Sequence, residues 1–270
     1  AVVTSATLTL PSDPDYVARR IGLGLLPPER RAPSRVFPSP FRPEEASLTL
    51  VASDAPPPDD AVAFAAHTAE VAAPLARLLG GRTLVLLTAN ARIAPVAEAL
   101  RARLASDRID VLTRNDAGRA DLLARLCEDR RTVVVAARSF WEGVDVPGDA
   151  LSAVILERIP FDAPGNPVVE ARRAVERAAG RDEFRDYTLP RALLLLRQGA
   201  GRLLRSSRDR GIVVLLDARF LRKNYRDDTV RALPGGRILA LPRARLLEEA
   251  ANFLRARGLA EAAAPAAAGP

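Results

Sequence analysis

Four stretches, TLVLLT (83–88), TVVVAA (132–137), LSAVILERI (151–159) and GIVVLLD (211–217), are nearly uninterrupted runs of aliphatic residues. A strand with one face in water alternates apolar and polar residues, whereas a strand covered on both faces does not. These runs therefore predict strands buried within a parallel sheet, whose neighbours must be joined by long crossovers. Segments of helical periodicity stand between them, at 61–79, 92–105, 118–129, 167–180 and 188–206. SLTLVAS (47–53) and IDVL (109–112) read as further strands, and GRILALPRARLLEEAANFLRARG (236–258) as a strand and a closing helix. The alternation predicts a doubly wound α/β fold, with a mostly parallel sheet and helices on both faces.

Outside this pattern, residues 1–3 read as a short strand followed by a turn, and residues 11–47, rich in Pro and Arg, as an extended surface connection. DAPPPDD (54–60) reads as a break, so residues 1–57 are expected to form one unit and 58–258 a second. LAEAAAPAAAGP (259–270) is low in complexity and is expected to be a disordered tail. No internal repeat is visible.

One cysteine, Cys127, excludes a disulfide framework and any multi-cysteine metal or iron–sulfur site within the chain. His67 is the single histidine, which argues against His-based triads and His-rich metal sites. No segment is expected to reach the ~18 apolar residues of a membrane span, so no membrane partner is expected. The net charge of +7, carried almost entirely by arginine with Lys223 the one lysine, suits a polyanion such as nucleic acid. The arginine bias equally suits a GC-rich genome, so charge alone permits that partner without requiring it. The chain contains no methionine and begins with Ala1. It is therefore expected to be a piece of a longer protein.

Ligands of open α/β sheets bind at the carboxyl ends of the strands. Three segments are expected there. TAN (88–90) follows the first long run; Asn90 there could equally cap the following helix. ARSFWEGVDVPGDA (137–150) combines the only tryptophan, Trp141, with Glu142, Gly143 and Asp145. Trp141 and Phe140 read equally well as core residues. The third is RQGAGRLLRSSRDRG (197–211). At ~100° per residue, Gly201, Arg202 and Arg205 fall within roughly 60° of Gln198 on a helical wheel. Leucines occupy the opposite side. A polar stripe of two guanidiniums, an amide and a missing side chain, with no acid, asks for an anion.

In this order and spacing the segments resemble the second half of a superfamily 2 helicase, most closely the DinG/XPD-like group. TSATL (4–8) resembles motif III, and SPF (39–41) a short signature that often follows it. LVLLTAN (84–90) resembles motif IV, with Ala89 where the family more often has serine. RSFWEGVDVPGDALSAVILERIPFDAPGNP (138–167) resembles motif V and the segment after it, and QGAGRLLRS (198–206) fits motif VI. The resemblance implies a second RecA-like motor domain over 58–258, preceded at 1–57 by the end of the first.

It further implies an ATP-dependent DNA helicase, moving 5′→3′, that couples hydrolysis to translocation on single-stranded or forked DNA. Arg202 and Arg205 would reach the γ-phosphate, Gln198 would orient water or a neighbouring side chain, and Gly201 would let the backbone approach. Glu142, Gly143 and Asp145 would line the nucleotide cleft. Thr88, Arg138 and Ser139 would touch the DNA backbone, and Thr4, Ser5 and Thr7 would couple the two sites. ATP with Mg would be held mainly by an N-terminal RecA-like half, where the family's iron–sulfur cluster, when present, also resides. A bacterial cytoplasmic location at the nucleoid is expected.

Lys223 is followed by Asn, so no phosphate-binding Gly-Lys-Ser/Thr loop exists in this sequence. RDEFRD (181–186) reads as a polar connection rather than a Mg-binding acidic box. The chain alone is therefore expected to be inactive. The alternatives are a non-enzymatic α/β module binding single-stranded nucleic acid and, more weakly, another nucleotide-handling enzyme of RecA-like fold.

Overall fold

The computed structural model describes residues 3–5, 7, 9–30, 35–37, 42–57, 59–141, 146, 148–234 and 237–261. The expected strand at 1–3, the SPF signature and part of TSATL fall wholly or partly outside them.

Seven strands form one sheet: β1 (Ser47–Ala52), β2 (Thr83–Leu86), β3 (Asp110–Leu112), β4 (Thr132–Ala136), β5 (Ala153–Leu156), β6 (Gly211–Leu215) and β7 (Arg237–Leu241). Their order is β3-β4-β2-β5-β6-β1-β7, and every pairing is parallel. The aliphatic runs are the interior strands, buried at every position, while the edges β3 and β7 keep exposed polar residues such as Asp110 and Arg237. Charge on an edge discourages pairing with another chain.

The helices are α1 (Tyr16–Arg20), α2 (Pro43–Ala46), α3 (Ala61–Leu79), α4 (Ile93–Leu104), α5 (Arg119–Glu128), α6 (Pro167–Ala178), α7 (Leu189–Ala200), α8 (Arg226–Ala232) and α9 (Arg243–Ala256). Alternate strand residues face opposite layers. Val85, Val133, Val135, Ile155 and Val214 pack with α3, α4 and α9. Leu84, Val134, Val154, Leu156 and Val213 pack with α5, α7 and α8. The doubly wound prediction is thus met, with a fully parallel sheet.

Two expectations are corrected by the sheet. β1, assigned by sequence to the unit before residue 58, pairs with β6 from Ser47↔Gly211 and with β7 from Leu48↔Arg237. Its six residues are all buried, so DAPPPDD is the connection from β1 to α3 rather than a break between sheets. The stretch 11–47 is also not simply extended: it contains α1 and α2, and Tyr16 is buried with its hydroxyl donating to the Tyr187 carbonyl at 3.4 Å. At the other end, Leu259 O accepts from Arg82 Nη2 at 2.5 Å and the Glu261 amide donates to Leu78 O at 2.8 Å. The first residues of the expected tail therefore lie against the α3–β2 turn; residues 262–270 are outside those described.

α3 also departs from expectation. With 19 residues and a mean hydropathy of 1.2, it meets the length and apolarity of a membrane span, which no segment was expected to do. Its burial gives the reason: Phe64, Val71, Leu75 and Leu79 are covered by the sheet and the flanking helices, so both sides must be apolar. Asp60 caps the helix by accepting from the Ala63 amide at 2.9 Å, and Gly80 ends it at φ +64°. His67 is buried in the same helix, and burial lowers its imidazole pKa, favouring the neutral ring.

Candidate functional site

All seven strands run in one direction, so the loops after β2, β4, β5 and β6 gather at one edge of the sheet. Thr88, Arg138, Trp141, Glu157 and Asp217 all follow strand ends there.

The helical stripe predicted over 188–206 is not formed as such, because α7 stops at Ala200. Beyond it the bonding tightens: the Gly201 amide donates to Arg197 O at 2.9 Å, then Arg202 to Gly199 O at 3.2 Å and Leu203 to Ala200 O at 3.3 Å. The last two are i→i−3 bonds, which tighten a closing helical turn. Asp209 then draws the chain into a loop. Its Oδ2 accepts from the Arg205 amide at 2.6 Å and the Ser206 amide at 2.7 Å, and its Oδ1 from Ser206 Oγ at 2.6 Å. A carboxylate that satisfies backbone amides in this way competes with continued helix.

The two motif VI arginines consequently have different environments. Arg202 is buried and donates from Nε at 3.3 Å and from Nη2 at 3.0 Å to the Trp141 carbonyl. Arg205 is exposed. Gln198 points at the N-terminal segment: its Nε2 donates to Thr7 Oγ1 at 3.2 Å, while Oε1 is buried with no hydrogen-bond partner among the described residues. Arg197 Nη1 donates to the Thr9 carbonyl at 3.0 Å. Ser5 Oγ lies 3.3 Å from Thr7 Oγ1 and accepts from the Thr7 amide, and Thr4 is exposed. Of the coupling candidates, Thr7 thus contacts the motif VI helix, distant in sequence.

Trp141 is a core residue that also joins two loops, its Nε1 donating to Leu87 O at 2.9 Å. Its ring lies against Gly199, where an added Cβ would meet Cε3 and Cζ3 at 2.7 and 2.8 Å. A Cβ at Gly201 would also fit tightly, meeting the Arg197 carbonyl at 3.0 Å. Gly199→Ala should destabilise the chain by about 1–3 kcal/mol. Urea unfolding followed by emission of the single tryptophan checks this, and a midpoint equal to wild type contradicts it.

At the β2 and β5 ends, Glu157 is fully buried and gathers its neighbours. Its Oε2 accepts from the Thr88 amide and hydroxyl, both at 3.0 Å, and its Oε1 pairs with Arg92 Nη1 at 2.7 Å. Arg158 Nη2 lies 3.9 Å from the same carboxylate. Burial lowers the Arg158 pKa from its ordinary value, an effect Glu157 opposes. Asn90 makes no side-chain cap; it opens a short turn, Asn90–Arg92, that leads into α4. Arg138 Nη2 donates to Asp162 Oδ1 at 2.8 Å, and Ser139 is exposed beside it.

Glu142, Gly143 and Asp145 lie outside the described residues. Of the important residues, sequence reasoning missed Glu157, Arg92 and Gly199 and gave Asp209 no role. Glu157 left a signal: it is the first charge after an aliphatic strand, at the end where ligands bind.

Comparison with known proteins agrees with this layout. The profile of the helicase C-terminal domain family matches residues 73–236. ATP-dependent DNA helicase YoaA of Haemophilus influenzae is 33% identical over 254 residues, covering 94% of this chain and 37% of that protein. ATP-dependent helicase DinG of Mycobacterium tuberculosis is 36% identical over 233 residues, covering 86% of this chain and 34% of that protein. The chain thus spans little more than a third of the length of either. Among solved structures, S. tokodaii Xpd4 superposes with a TM-score of 0.54 at 16% identity, over 78% of this chain and 41% of that one, a likeness of fold. With the profile covering more than half of its residues, the chain belongs to the helicase C-terminal domain family.

Proposed function

We propose that this chain is the C-terminal motor half of an ATP-dependent DNA helicase that couples ATP hydrolysis to 5′→3′ translocation along single-stranded DNA. The observation that carries the reading is the division between the motif VI arginines. Arg205 is exposed on a loop whose backbone Asp209 holds, while Arg202 is buried against the Trp141 carbonyl. A guanidinium fork matches phosphate oxygens, so the residues present suit the γ-phosphate of a nucleotide bound mainly by an N-terminal RecA-like half.

In this reading Arg205 neutralises charge developing on the transferred phosphoryl group, and Arg202 fixes the motif V loop that carries Glu142, Gly143 and Asp145. Gln198 and Thr7 link that site to the preceding segment, in which Thr4 and Ser5 lie. Thr88, Arg138 and Ser139 face the strand of single-stranded or forked DNA. ATP with Mg supplies the phosphoanhydride whose cleavage drives movement. Any iron–sulfur cluster resides in the N-terminal half, and the protein works in the bacterial cytoplasm at the nucleoid.

The test compares full-length protein with the 270-residue chain. Single-stranded DNA should stimulate hydrolysis by the first, and the second should hydrolyse nothing while binding single strands with an affinity that falls steeply with salt. Hydrolysis by the full-length protein that is indifferent to DNA overturns the proposal.

A further inference from the structure

Aromatic residues are scarce in this chain, with eight Phe, three Tyr and one Trp, yet three of them, Phe161, Phe184 and Tyr225, meet at one place. Phe161 follows β5, Phe184 precedes α7 and Tyr225 precedes α8. Their ring centroids lie 5.9 Å (Phe161–Phe184), 6.2 Å (Phe161–Tyr225) and 5.6 Å (Phe184–Tyr225) apart. All three residues are half-buried against the α5–α7–α8 layer. Three loops from different parts of the sequence deliver them to the edge of the sheet where the strands end.

The backbone that carries Phe184 is itself unusual. Phe184–Thr188 is a π-helical turn, closed by the Leu189 amide donating to Phe184 O and started by Asp182 Oδ1, which accepts from the Phe184 and Arg185 amides at 2.8 and 3.1 Å. An inserted π turn shifts a side chain off the helical face it would otherwise share, and such turns recur at functional sites.

The rim is cationic. Arg185, Arg219, Arg222 and Lys223 are exposed in the segments that carry Phe184 and Tyr225; of these, Arg219 pairs with Asp217 at 2.8 Å and Arg185 lies 3.8 Å from Asp228. Of the acids there, Asp162 is held by Arg138 and Arg191 at 2.8 and 2.6 Å and Asp228 by Arg231 at 2.9 Å, while Asp227 is exposed. Half-exposed aromatic rings beside exposed cations suit a ligand that alternates flat rings with negative charge.

We propose that Phe161, Phe184 and Tyr225 form a stacking platform for the bases of a single-stranded nucleic acid, with the surrounding cations taking its phosphates. The platform rests on the helicase reading and deepens it: it adds a base-stacking element to a strand path otherwise assigned to backbone contacts. Stacking on an aromatic face is tolerant of base identity, which is what a translocating motor needs.

The discriminating probe is a pair of strands of equal length and charge, oligothymidine and an abasic sugar-phosphate strand. Binding to the 270-residue chain is measured by fluorescence anisotropy at low salt. Wild type should prefer the base-bearing strand. Phe161→Leu and Tyr225→Leu, which keep apolar bulk, should each weaken oligothymidine binding about tenfold and abasic binding by less than about twofold, and Tyr225→Trp should restore the preference. Should either leucine variant fail to fold, a 2-aminopurine-containing strand read on wild type decides: quenching on binding supports stacking, and unquenched emission overturns it. Equal losses on both strands, or none, overturn the platform alone. A wild type without preference for bases assigns the rings to protein contacts and overturns it likewise. A wild type that binds neither strand removes the helicase reading as well.

Discussion

Arg205→Ala in the full-length protein is expected to lower DNA-stimulated ATP hydrolysis by about 10³- to 10⁵-fold, the range an arginine delivered to a γ-phosphate supplies in nucleotide hydrolases. Affinity for single-stranded DNA should stay within about threefold, since one exposed cation removed from a multi-phosphate contact changes binding little. The Asp209 anchor should survive the substitution, because it holds the backbone amides of Arg205 and Ser206. Arg202→Ala should behave differently. It removes both donors to the buried Trp141 carbonyl, so it should lower the unfolding midpoint along with the rate. The two substitutions, read side by side by steady-state hydrolysis and by thermal unfolding, separate an arginine that acts on phosphate from one that holds a loop. Unchanged hydrolysis in Arg205→Ala would remove the finger assignment.

The architecture was legible because its signal is written locally. A parallel strand buried on both faces must be aliphatic throughout, and β2, β4, β5 and β6 announce themselves in that way. β1 was read as a strand but assigned to the wrong unit, since nothing in SLTLVAS says which neighbours it pairs with. That information resides in its long-range pairing with both β6 and β7. The motif residues were legible as types and spacing, while their individual environments were not. The helical wheel placed Arg202 and Arg205 on one stripe; the carboxylate that ends the pattern, Asp209, lies several residues downstream and acts through backbone amides. Gly199 shows the same limit. Its neighbour Gly201 belongs to the motif, but the ring that forbids a side chain, Trp141, arrives from a loop far away in sequence.

The largest effect on stability is expected at Glu157. Its carboxylate is fully buried and binds the Thr88 amide, the Thr88 hydroxyl and the Arg92 guanidinium, so Glu157→Gln leaves a partly buried cation short of this counter-charge. Breaking a buried ion pair from one side costs about 3–5 kcal/mol, and the low end applies because the Arg92 side chain keeps 17% of its surface in water. Replacing both partners by neutral groups can be nearly neutral for folding. The double variant Glu157→Gln with Arg92→Met should therefore recover much of the loss, by about 2 kcal/mol. Urea unfolding of the two single variants and the double variant forms a closed cycle that measures the coupling directly. A single-variant cost below about 0.5 kcal/mol, or a double variant no better than the worse single, would show that the carboxylate is not the organiser of this edge. The functional consequence follows from the same geometry. Thr88 and Arg92 share one anchor, so loosening Glu157 should also weaken single-strand binding, whereas the motif VI loop and its Asp209 anchor stay in place.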